Sequence, residues 1–246
     1  MGESVSGAPG RLSVPNGELR LVDDVPAAFA ELVAEEVDLA LCDPGRPRDE
    51  PFRLVLSGGS TARACYEQLA LTHGLDWSRV ECLVGDERCV PANDPDANQA
   101  MIREVLVDRV EPHPRFVPMD CDAPPQAYEA VITARPGLDL VHLGLGPDGH
   151  TASLFDASSA LEAPPGRLVE HNVDPSGRNR HSRLTLTLAG IARARLVVFS
   201  VAGADKGPAM SRVLHHEDLP ATRVQAGRVV WLCGREVIDS QGLALG

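Results

Sequence analysis

Four apolar runs in this chain end at glycine turns: residues 52–56 before Ser57-Gly58-Gly59, 80–84 before Gly85, 138–143 before Gly144, and 194–201 before Gly203. Short, unbroken runs of β-formers suit strands buried on both faces, and between them the apolar spacing changes to that of amphipathic helices. This βαβ alternation confines the chain to an α/β fold, a mostly parallel sheet flanked by helices with right-handed crossovers. Open sheets of that kind keep their ligands beyond the carboxyl ends of the strands, so the four turns mark one edge for chemistry.

The remaining elements fit the same scheme. Residues 17–22 suggest a first strand, and 26–42 a helix with Phe29, Leu32, Val33, Val37 and Leu41 on one face. Helices are predicted over 60–71, 96–110, 125–134 and 203–214, and further strands near Phe116, across 183–188 by period-two alternation, and at 229–232. A length of 246 residues suits one such domain over the whole chain, with residues 1–10 a loose start.

Bulk properties narrow the partners. A net charge of −12 excludes a nucleic-acid or anionic-membrane surface as the main partner, since phosphate backbones demand basic stripes. Six scattered cysteines, with no Cys-x-x-Cys pair and no zinc-type histidine spacing, read as reduced, mostly core thiols and imply no metal. No apolar stretch reaches membrane-spanning length and the start lacks a secretory pattern, so a soluble cytoplasmic protein is expected. Met1 to Ser6 matches the myristoylation pattern, without the basic patch that would support anchoring. The oligomeric state stays open, a monomer being favoured.

The turn after 138–143 reads Gly144-Leu-Gly-Pro-Asp148-Gly-His150-Thr-Ala-Ser-Leu-Phe155. His150 is its natural proton carrier near neutral pH, and Asp148 is close enough to orient the ring. Gly144, Gly146 and Gly149 also match the dinucleotide fingerprint, with Glu170 about 20 positions on. That fingerprint needs a helix at its third glycine, and Pro164-Pro165-Gly166 interrupts the chain before the next apolar run, so no dinucleotide is expected.

Three further elements suit an anion. Ser57-Gly58-Gly59-Ser60-Thr61 joins a strand to a helix start, where free N–H groups and the positive helix end converge. It lacks the Gly-Lys-Ser/Thr ending of a Walker loop and the Gly-x-Ser-x-Gly of a nucleophile elbow. Gly85-Asp86-Glu87-Arg88 follows a strand. Arg88 can clamp phosphate or carboxylate oxygens there, with Asp86 and Glu87 holding it or meeting sugar hydroxyls. Among 23 basic side chains Lys206 is the sole lysine, placed at a helix start just after a buried strand where a compact ammonium can meet a phosphate.

Taken in order, Ser57-Gly-Gly-Ser-Thr61, Gly85-Asp-Glu-Arg88, Pro147-Asp-Gly-His-Thr-Ala-Ser-Leu-Phe155, Arg183-Leu-Thr-Leu-Thr187 and Lys206 resemble the 6-phosphogluconolactonase family. The resemblance implies a Rossmann-like fold of the sugar-phosphate isomerase type, no organic cofactor, and a sugar phosphate lactone as the small-molecule partner. It matches His150 to the base that activates water. Ser57, Gly58, Gly59, Ser60, Thr61, Arg88 and Lys206 match positions around the phosphate, and Asn98 and Arg183 join the substrate-binding set. Arg88 also stands with His150 and Asp148 among the catalytic candidates. Ala62 and Asp156 replace prolines usual in the family, both at motif edges.

Two rivals share parts of this pattern. An amino-sugar-phosphate isomerase or deaminase resembles it closely, but that family carries a glutamate five residues after the histidine, where this chain has Phe155. A non-catalytic sugar-phosphate-binding protein would have no need of His150, which this chain retains.

Overall fold

The structure, a computed structural model, describes residues 13–242. The start, expected to be loose, and its myristoylation-like pattern lie outside them. In chain order the elements are β1 (Glu18–Val22), α1 (Val25–Cys42), β2 (Phe52–Leu56), α2 (Ser60–Ala70), β3 (Val80–Val84), β4 (Asp86–Arg88), α3 (Asn98–Ile102), β5 (Arg115–Val117) and α4 (Pro125–Thr133). The second half adds β6 (Leu138–Gly144), β7 (Val169–Asn172), β8 (Arg183–Leu186), α5 (Leu188–Ile191), β9 (Ala194–Val201), α6 (Gly207–Leu214), β10 (Arg228–Gly234) and α7 (Arg235–Asp239).

Seven strands form one sheet in the order β1-β10-β9-β6-β2-β3-β5, every neighbouring pair parallel. This is the α/β architecture read from the apolar runs. From β2 the chain builds outward through β3 and β5, then returns to the other side of β2 with β6 and continues through β9 and β10. The direction of winding therefore reverses between β2 and β6, and a crevice opens beyond their carboxyl ends.

The core follows from the patterns that built the strands. All residues of β2 and β3 are buried, and α1 lays Phe29, Val33 and Val37 onto the sheet, its first turn capped by Asp24, which accepts from the Ala27 N–H at 2.9 Å. Trp231 of β10 stacks on Phe199 of β9 with ring centroids 3.8 Å apart, and its indole N–H donates to Asn16 Oδ1 at 3.1 Å. Trp231→Ala is expected to cost about 3–5 kcal/mol through lost burial and the cavity left behind. A fall in the urea midpoint at unchanged m-value is the check.

At the amino ends of the strands, charges close on one another. Asp139 takes a two-pronged Arg46 contact at 2.8 Å on each oxygen, and Glu81 receives Arg135 at 2.6 and 2.7 Å. The carboxyl ends are built differently.

Three features depart from the sequence reading. A second, antiparallel sheet, β4-β8-β7, was not anticipated, because β4 and β7 are short and polar and gain their order only by pairing with β8. The helix expected over 96–110 is divided: α3 passes into a π-helical turn, Arg103–Val107. The cysteines are not all reduced, for Cys89 and Cys121 form a disulfide with Cα atoms 5.3 Å apart. That pairing joins the segment after β4 to the loop after β5, two places that only the tertiary fold brings together. The buried thiols Cys65, Cys82 and Cys233 are each pushed up to about 12 by burial. No helix among the described residues is long and apolar enough to cross a membrane.

Candidate active site

At the β2–α2 junction Gly59 has φ +103°, a backbone conformation that favours glycine, and it precedes α2 without any side-chain cap. The first-turn N–H groups of α2 are thus left to the crevice, with Ser60 exposed and Thr61 half-buried beside them. Gly58 lies so close to Asn98 that a Cβ would meet Asn98 Oδ1 at 1.8 Å. Ser57 is turned inward: its N–H donates to Tyr66 Oη at 2.8 Å and its hydroxyl to the His142 carbonyl at 2.7 Å. It acts as a strut of the loop, with both its protons already engaged.

The β4 segment sorts its three charges in a way the sequence did not foretell. Glu87 is buried and caps α3, its carboxylate accepting the N–H groups of Arg88 and Asn98 at 2.7 Å and of Gln99 at 2.8 Å. Burial pushes its carboxyl upward against those three hydrogen bonds. Asp86 accepts the Ser153 hydroxyl at 2.7 Å, and Asn98 donates to the Asp86 carbonyl at 2.8 Å. Contrary to the first of the two roles expected from sequence, neither carboxylate holds the Arg88 guanidinium, which donates instead to the Asp96 carbonyl at 3.0 Å.

Arg88 pairs directly across the antiparallel ladder with Arg183 of β8. Opposed like charges are unfavourable, and among the described residues neither guanidinium has a carboxylate in direct ion-pair contact, Asp86, Glu87 and Asp96 acting on Arg183 only from further off. Arg183 is only 6% exposed, yet its Nε and Nη1 find no hydrogen-bond partner. Burial lowers its pKa, the mark of a charge short of solvation.

Beyond β6 the chain makes the glycine turn. Gly146 N–H donates to the His150 carbonyl at 2.8 Å, Gly149 adopts φ +93°, and the Thr151 hydroxyl donates back to Gly144 at 2.9 Å. No helix opens at Gly149, and Glu170 lies on β7 of the second sheet, so the dinucleotide pattern has no structural counterpart. Asp148 Oδ1 accepts the His150 backbone N–H at 3.1 Å and sits 2.5 Å from Nδ1. The hydrogen bond from His150 is the main cause that holds the Asp148 carboxyl well below the usual carboxylate range. An ionised carboxylate can only accept, so Nδ1 carries the proton toward Asp148 and Nε2 is the ring nitrogen left to exchange one. Arg212 donates to the Asp148 carbonyl at 3.0 Å and fixes the turn, while Phe155 packs against the imidazole at a centroid distance of 5.1 Å.

Gly146 has no room for a side chain, because a Cβ would lie 2.2 Å from the His150 ring. Gly146→Ala is therefore expected to push the imidazole out of line and lower kcat by about 10–100-fold, with Tm little changed, since misplacement of a reacting group costs rate rather than stability. Steady-state kinetics beside a melting curve separates the two.

These elements enclose one cavity of about 210 Å³. Ser57, Gly58, Gly59, Ser60 and Thr61 line one side. Arg88, Asn98 and Arg183 line another, and His150 and Lys206 complete it. Asp148 stands behind His150 rather than on the wall. Lys206 enters from the turn before α6, its Nζ 3.7 Å from Asp205. Sequence reasoning missed His142, Ser200 and Asn179, which also face the cavity, and Tyr66 beneath it. The available signal was a histidine and a serine near the carboxyl ends of otherwise apolar strands.

A family model described as glucosamine-6-phosphate isomerases/6-phosphogluconolactonase matches residues 22–231. The chain belongs to this family. A 6-phosphogluconolactonase from Synechocystis sp. is 37% identical over 202 residues, covering 74% of this chain and 82% of that protein. One from Nostoc sp. is 34% identical over 225 residues, covering 84% and 89%. The crystal structure of the 6-phosphogluconolactonase from Thermotoga maritima superposes with a TM-score of 0.76 at 31% identity, covering 89% of this chain and all of that one. The family motifs thus lie on the strand ends and turns that build the cavity.

Proposed function

We propose that the protein hydrolyses 6-phospho-D-glucono-1,5-lactone to 6-phosphogluconate, the hydrolytic step of the oxidative pentose phosphate route. The observation that carries this reading is a single cavity shared by a carboxylate-oriented histidine and an unpaired buried guanidinium, Arg183. The relatives named above support the choice of lactone.

In this mechanism the phosphate is held by Arg88, Arg183, Lys206 and the free N–H groups of α2, which fixes C1 of the lactone near His150. Nε2 takes a proton as water oxygen bonds to C1, and Asp148 stabilises the imidazolium that results. Collapse breaks the C1–O5 bond, and O5 recovers the proton from Nε2. A δ-lactone is an activated ester, so one base suffices and no acyl-enzyme is required. Arg88, reaching the same cavity, is placed to stabilise charge on the carbonyl oxygen as it develops.

The apolar ring of Phe155 against His150 argues against the amino-sugar deaminase, which by family resemblance needs a carboxylate there. The active unit is read as one domain spanning the described chain, supported by a continuous core that runs from Val14 to Ile238. Its place of action is proposed as the cytoplasm.

The test is to generate the lactone in situ and follow its disappearance with and without protein, subtracting spontaneous hydrolysis. A large acceleration is expected. None, with 6-phosphogluconate still bound, would make the protein a sugar-phosphate binder.

A further inference from the structure

Below the phosphate loop lies a second set of polar atoms that the proposed reaction does not use. His142, on β6, is 1% exposed and packs its ring against Phe29 at 4.1 Å. Its Nδ1 sits 2.8 Å from Tyr66 Oη, the hydroxyl that also receives the Ser57 N–H. Its Nε2 is buried with no hydrogen-bond partner. On the adjacent strand β9, Ser200 is 2% exposed, and its buried Oγ has no partner beyond the weakly accepting Cys65 thiol beside it. The two strands run parallel with Gly144 opposite Ser200, so His142 and Ser200 are near neighbours, and both line the cavity.

Buried polar atoms are rarely left unpaired, and two together call for a shared partner. The nature of that partner follows from their chemistry. Burial lowers the His142 pKa to about 3, so the ring is neutral. A neutral ring nitrogen and a hydroxyl are poor ligands for phosphate or carboxylate, which the arginines and Lys206 serve far better. They suit a group that both donates and accepts, as an alcohol does.

We propose that His142 Nε2 and Ser200 Oγ together bind one ring hydroxyl of the sugar phosphate, making the cavity floor a specificity element. The identity of that sugar rests on the lactonase reading. The Tyr66 contact engages Nδ1 and leaves Nε2 as the unpaired nitrogen of the ring.

Three variants separate this role from a structural one. Ser200→Ala removes the hydroxyl alone. His142→Asn keeps an amide where Nδ1 meets Tyr66 and deletes the Nε2 position, and His142→Gln extends an amide to that position. Binding of 6-phosphogluconate and of inorganic phosphate would be measured by calorimetry. Rates would be taken on the parent lactone and on analogues lacking the C2, C3 or C4 hydroxyl.

Ser200→Ala and His142→Asn should each weaken 6-phosphogluconate binding and lower kcat/KM on the parent lactone by about 3–10-fold, the worth of one neutral hydrogen bond. Inorganic phosphate should bind unchanged, one deoxy analogue should be indifferent to both substitutions, and His142→Gln should recover part of the loss. Equal losses on all three analogues, losses shared with inorganic phosphate, or no loss at all would overturn the proposal and leave the pair holding water or the loop. Should the unmodified protein fail to accelerate lactone hydrolysis, the lactonase reading falls, while the two binding titrations still decide this one.

Discussion

His150→Ala is expected to lower kcat/KM for the lactone by about 10²–10⁴-fold, the range a well-placed general base contributes. The loss should fall on kcat, because the groups assigned to the phosphate are carried on other elements and remain intact. Folding should be little affected, since the side chain is 21% exposed and its one strong contact is with Asp148. Asp148→Asn offers a graded comparison. The amide oxygen can still accept from Nδ1, so orientation is partly kept, but the charge that steadies the imidazolium is gone. Its loss should lie between the parent and His150→Ala. Both are measured by initial rates with the spontaneous reaction subtracted. Retention of the full rate by His150→Ala would remove His150 as the base and leave the cavity without an evident one.

Much of this site was legible in the sequence because parallel sheets bury both faces of their strands. Residues 52–56, 80–84 and 194–201 therefore read as unbroken apolar runs, and their ends could be located to within a residue or two. Once the strand ends were known, Gly59, His150 and Lys206 had to meet at one edge. What stayed hidden depended on pairing over long distances. β4 is three charged residues, Asp86–Arg88, and becomes a strand only against β8, nearly a hundred positions later. Glu87 looked like a companion to Arg88, yet the fold directs it to the amino end of α3. The Cys89–Cys121 pair joins two loops whose closeness no spacing rule conveys. His142 was concealed for the opposite reason: a lone histidine in an apolar run reads as a core residue, and only its unpartnered Nε2 distinguishes it.

Arg183→Met tests the anion site, because the two proposed consequences have opposite signs. A guanidinium buried without hydrogen bonds to Nε and Nη1, facing Arg88 across the ladder, is a cost to the folded chain. Replacing it with an apolar side chain of similar length is expected to stabilise the protein by about 1–3 kcal/mol, read as a higher urea midpoint. The same change removes charge-assisted hydrogen bonds to the phosphate worth about 1.5–3 kcal/mol each. Two of them lost predicts a fall in kcat/KM of about 10²–10⁴-fold, since each 1.4 kcal/mol is tenfold. Added inorganic phosphate should raise the melting temperature of the parent and do so far less in the variant, because only a ligand bound to the folded state stabilises it. If stability and activity instead fall together, Arg183 is a structural cation, and the phosphate must be held by Lys206, Arg88 and the first turn of α2 alone.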